Sequence, residues 1–88
     1  MKSLRTIHVE GGSYNGEKGV SIEMMYRGVI LNFFFSFEKE KNALTLLNAY
    51  EVPEISRDRW RRICRTAAAI GAEKKPPAEF RPVQGKLF

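Results

Sequence analysis

The sequence predicts an α+β fold: a small antiparallel β-meander of about three strands, packed by one or two helices, with an extended C-terminal tail. Three observations predict it. Residues 29–37 read VILNFFFSF, with Val29, Leu31, Phe33, Phe35 and Phe37 on one side of a period of two. Residues 20–26 repeat that alternation just upstream, across Arg27-Gly28. Residues 56–70 carry instead the 3.6-residue apolar period of a helix. Residues 1–71 read as one small domain, and residues 72–88 as a flexible tail ending in a short linear motif.

The chain has 88 residues and a hydrophobic fraction of 43%, enough for one core near the lower size limit of a self-sufficient domain. Cys64 is the sole cysteine, which excludes an internal disulfide framework and fits a reducing compartment. No sequence of signal-peptide type opens the chain, and no apolar run approaches the roughly 20 residues of a membrane span. A soluble, cytoplasmic protein with no membrane partner is expected.

Residues 4–10 alternate, with Ile7 and Val9 as buried positions flanking His8, and predict a first strand. His8 has no second His or Cys at ligand spacing, so it reads as a strand residue on the polar face and no metal site is expected. Residues 11–19, GGSYNGEKG, are rich in glycine. Gly11 and Gly16 have the spacing of a phosphate-binding loop. Glu17 stands where that motif needs Lys, however, and a strand pattern follows in place of a helix N-terminus. These residues predict a flexible hairpin connection, with Tyr14 as a contact surface.

Residues 20–26 form the next strand, with Val20, Ile22, Met24 and Tyr26 on one face. Arg27-Gly28 supplies a two-residue turn. Pairing Tyr26 with Val29 sets Met24 on Leu31, Ile22 on Phe33 and Val20 on Phe35. Met25 then faces Ile30, Glu23 faces Asn32 and Ser21 faces Phe34 on the other side. A slip by one residue would put Glu23 and Arg27 in the apolar face, so the register is specified.

Residues 38–50 set Ala43, Leu46, Leu47 and Tyr50 at helical spacing, with Ser36 as cap and Glu38 and Glu40 in the first turn. A helix is expected there, and a strand through Leu44, Leu46, Asn48 and Tyr50 is the alternative. Val52-Pro53 breaks the chain. The helix of residues 56–70 takes Ser56 as N-cap and Gly71 as its stop. Its apolar stripe is Trp60, Ile63, Cys64, Ala67 and Ala68, with Cys64 as inert packing.

Charge is unevenly spread. Residues 1–53 carry six basic and six acidic side chains, whereas residues 54–88 carry nine basic and four acidic, the whole net charge of +5. Arg57, Arg61 and Arg65 follow at i+4 steps with Arg62 beside them, a candidate flank for phosphate contacts. Phe34 is a candidate for stacking on bases if its face of the sheet is open. Glu10, Glu23, Glu38 and Glu40 show no general-acid/base or metal-ligand spacing. No catalytic set and no cofactor is expected.

From Ala72 the composition turns to AEKKPPAEFRPVQGKLF, with three prolines in seventeen residues and no period. Residues 72–83, extended, would reach roughly 40 Å. The chain ends Gln84, Gly85, Lys86, Leu87, Phe88. This pentapeptide resembles the bacterial sliding-clamp-binding motif, Q-x-x-[LM]-F, and the resemblance covers those five residues alone. It implies Leu87 and Phe88 as anchors in an apolar pocket and Gln84 as a hydrogen-bonding residue at its rim. Gly85 and Lys86 depart from the residues common at those positions. The function so implied is that of a small non-enzymatic accessory or inhibitory protein of DNA replication or repair. Its partners would be the bacterial DNA polymerase sliding clamp and, through Arg57, Arg61, Arg62 and Arg65, DNA. The alternative is a basic nucleic-acid-binding module whose tail is incidental. Without such a partner, Phe80, Val83, Leu87 and Phe88 would instead fold back and complete the core. The third reading, a two-carboxylate Mg²⁺-dependent nuclease, finds no paired residue set to carry it. Exposed sheet edges would allow a dimer.

Overall fold

A computed structural model describes residues 4–49 and 54–76. Four strands form one antiparallel sheet in sequence order: β1 (Leu4–Tyr14), β2 (Glu17–Tyr26), β3 (Val29–Ser36) and β4 (Leu44–Leu46). One helix, α1 (Arg57–Lys74), packs on one face. The fold is the expected antiparallel meander on a helix, with one strand more than the three anticipated. Tyr50, Val52-Pro53 and all of the tail beyond Pro76 lie outside the described residues.

The β2–β3 hairpin has the register its apolar positions require. Tyr26 pairs with Val29, Met24 with Leu31, Ile22 with Phe33 and Val20 with Phe35. Arg27 and Gly28 turn the chain at φ 51° and 81°, the left-handed pair of a tight hairpin turn. Val20, Ile22, Met24, Tyr26, Leu31, Phe33 and Phe35 are buried on the face that meets Ile63 and Ala67 of the helix. Burying each large apolar side chain is worth roughly 1.5–3 kcal/mol before ordering costs.

Residues 11–19 are not a flexible connection. Gly11 pairs with Val20, Gly12 with Gly19, Ser13 with Lys18 and Tyr14 with Glu17, so both strands extend through the segment. Only Asn15 and Gly16 turn, at φ 54° and 79°. Asn-Gly favours this turn because asparagine tolerates the left-handed region and glycine enters it freely.

Ile7 is exposed, contrary to the strict alternation expected of residues 4–10. The register shifts between Thr6 and His8, leaving Ile7 as the extra residue of a β-bulge. Leu4 and Val9 lie five apart, an odd number that plain alternation would put on opposite faces. The bulge restores both to the core side, opposite Tyr26 and Ile22.

The helix expected over residues 38–50 is absent from the described part of that segment, residues 38–49. The Ser36 hydroxyl does accept the N–H groups of Glu38 and Lys39, at 3.2 and 3.1 Å. Lys41 and Asn42 then take φ 69° and 50°, which reverses the chain. Leu44 pairs with Phe35 and Leu46 with Phe33, the strand alternative. Asn48 extends the pairing with its side chain: Oδ1 accepts the Asn32 N–H at 2.8 Å, and Nδ2 donates to the Ile30 carbonyl at 2.6 Å. Asn48→Ala would leave both groups of β3 unpaired in a partly buried site. An expected loss of about 2 kcal/mol would appear as a lower urea midpoint, and an unchanged midpoint would show that water replaces the amide.

Helix α1 starts as expected: the Ser56 hydroxyl accepts the Arg59 N–H at 3.3 Å and the Ser56 carbonyl accepts that of Trp60 at 2.9 Å. It does not stop at Gly71. It continues through Lys74, and the extended backbone of Lys75, which precedes Pro76, ends it. Gly71 is buried within the helix because nothing larger fits over Phe35: a Cβ there would lie 2.2 Å from Phe35 Cγ.

Candidate functional site

The apolar stripe of α1 decides where its arginines go. Ile63, Ala67 and Gly71 are buried against the sheet, so at 100° per residue positions 61, 62 and 65 fall on the solvent side and position 57 on the adjoining flank. Arg57, Arg61, Arg62 and Arg65 are all exposed there. Among the described residues Arg61 alone of the four meets a carboxylate, with its Nη1 3.7 Å from Asp58 Oδ1. Both partners are solvated, so the pair is weak and leaves the guanidinium free to exchange it for phosphate. The predicted basic flank is therefore one surface, carried on a rigid helix.

Arg59 was not read as distinct from the rest of the helix, and it has another task. Its Nη1 donates to the Tyr26 hydroxyl at 2.9 Å, giving that buried side chain its polar partner. The Arg27 guanidinium lies 5.2 Å from the centre of the same ring. A tyrosine at the strand end beside a helix start was the available signal.

Phe34 cannot stack on a base. It is 2% exposed, and the Tyr14 ring lies 5.5 Å from its own, centre to centre. The hairpin arms formed by residues 11–19 supply that tyrosine, which is why reading the segment as a loop missed the cover.

The sheet face away from the helix holds a shallow depression of about 230 Å³, lined in part by His8, Glu10, Glu23, Asn32 and Leu47. His8 Nε2 lies 3.1 Å from Glu10 Oε1, in an exposed contact. Glu38 is engaged by the Lys18 N–H at 3.2 Å, and Glu17 lies 3.6 Å from Lys39 Nζ. Among the described residues no three His, Cys, Asp or Glu side chains gather as a metal site, and no helix is long and apolar enough to cross a membrane. Cys64 is half-buried beside the core, and that burial pushes its thiol up, so it stays protonated and unreactive at neutral pH.

Gln84, Leu87 and Phe88 lie outside the described residues. No protein-family model matches the chain, and no curated protein or solved structure matches it.

Proposed function

We propose that this chain is a small non-enzymatic accessory or inhibitory protein that binds the bacterial DNA sliding clamp through its C-terminal QGKLF, acting in replication or repair. The observation that carries the reading is the pattern of Gln84, Leu87 and Phe88 at the end of a proline-containing polar segment. A short peptide needs concentrated anchors, and adjacent Leu and Phe supply them. A tether would raise the concentration of the domain at the clamp. The exposed face of Arg57, Arg61, Arg62 and Arg65 supports the same reading, since it could contact phosphates of the DNA that threads the clamp.

The test is calorimetric titration of a bacterial sliding clamp with the full chain and with a version ending at Val83. Micromolar binding, about −8 kcal/mol, is expected for the full chain and none for the truncated one. Equal behaviour of the two forms, or no binding by either, would overturn the reading.

The arginine face favours a second reading, a basic nucleic-acid-binding module. Its signature is duplex affinity that falls steeply with salt and survives removal of residues 84–88. Replacing Arg61 or Arg65 by alanine would then lower the salt slope by roughly one each. A slope unchanged by either substitution would remove the helix face from the interface.

A further inference from the structure

We propose that the chain forms a two-fold dimer by antiparallel pairing of β1 with β1 of a second copy. The sheet order β1-β2-β3-β4 leaves β1 and β4 at its edges. β4 has three residues, whereas β1 has eleven, and its outward backbone groups have no strand partner among the described residues.

A two-fold axis between Ile7 and His8 gives one self-consistent register: Arg5 opposite Glu10, Thr6 opposite Val9, and Leu4 opposite Gly11 of the second copy. Directly opposed residues of an antiparallel pair must share a face. In a regular strand that demand forbids pairing residue 5 with residue 10, because an odd separation changes sides. The bulge at Ile7 removes the conflict. Arg5 lies opposite Met25 and Glu10 opposite Ser21, both on the face away from the helix. Leu4, Thr6, Val9 and Gly11 lie opposite Tyr26, Met24, Ile22 and Val20, on the helix side. All of these opposed pairs therefore match in face.

Charge selects the same register. Arg5 and Glu10 are both exposed, and the two-fold sets each against its opposite in the other copy, twice over. An axis at Glu10 itself would instead oppose two carboxylates. A bulge ordinarily frustrates edge pairing, since a straight strand cannot follow it. A second copy brings an identical bulge, and the two displacements meet at the axis. Ile7, 43% exposed on one chain, would lie there against His8 of the second copy.

Sedimentation of the full chain over a concentration series tests this, with circular dichroism to verify that each variant is folded. The wild-type mass is expected to double with concentration. Arg5→Glu and Glu10→Arg should each raise the dimer dissociation constant roughly tenfold or more, since each sets two like-charge pairs across the axis. The double variant Arg5→Glu/Glu10→Arg should restore the dimer. A wild-type chain that stays monomeric, single variants that dimerise as before, or a folded double variant that stays dissociated would each overturn the proposal.

Discussion

Gly19→Ala is expected to destabilise the fold by about 3 kcal/mol, a large part of what a small domain possesses. A Cβ at position 19 would lie 2.1 Å from the Phe35 carbonyl oxygen and 2.7 Å from Phe34 Cζ. The phenyl ring can yield, but the carbonyl cannot. It belongs to β3, held in register by the pairs Gly19–Ser36 and Val20–Phe35 and by the Phe37 N–H donating to the Lys18 carbonyl at 2.8 Å. Relief requires β2 and β3 to separate where both are buried. Urea unfolding at constant slope measures the loss, and an unchanged midpoint would show that the strands part without cost.

Gly71→Ala should lower stability by about 2 kcal/mol, against the usual sign. Alanine in place of glycine inside a helix ordinarily gains up to about 1 kcal/mol. Here the new methyl would stand 2.2 Å from Phe35 Cγ and 2.6 Å from both its Cβ and Cδ2. Either the ring leaves its rotamer or the helix lifts off the sheet, and both cost more than the helix gains. Gly71→Ala in a Phe35→Leu background should cost less than the two single losses combined, because the narrower side chain makes room. Additive losses, or a more stable Gly71→Ala protein, would show that the contact is slack.

These two glycines also show what the sequence made legible. The β2–β3 register was readable because apolar residues on both strands admit one alignment and a slip would bury Glu23 and Arg27. The helix start was readable because Ser56 and the stripe after it are local signals. Gly71 was misread because the residue that ends a helix and the residue that admits a close neighbour are the same residue type. Only the position of Phe35, distant in sequence, distinguishes them. Residues 38–49 were misread for a related reason. Ala43, Leu46 and Leu47 suit a helix while Leu44, Leu46 and Asn48 suit a strand over the same short span, and what decides is the amide of Asn48 reaching β3. Asn15-Gly16 was a local turn signal within plain view, hidden by the other glycines around it. Of the candidate sites, the arginine face was legible because its spacing and the apolar stripe share one helix. That Phe34 was covered was not, since Tyr14 reaches it from a different strand.

The order of the strands bears on how the protein is made. Each strand pairs with its neighbour in sequence, and two of the three connections are two-residue turns. Such short-range closures cost little chain entropy and form early. The helix is synthesised after all four strands. While residues 57–74 are still within the ribosome, the side of the sheet bearing Val20, Ile22, Met24, Leu31 and Phe33 has no lid. The nascent meander is thus at its stickiest in the interval between the emergence of β4 and that of α1. Slowing translation across that interval should increase aggregation, whereas supplying the helix earlier, by circular permutation, should reduce it.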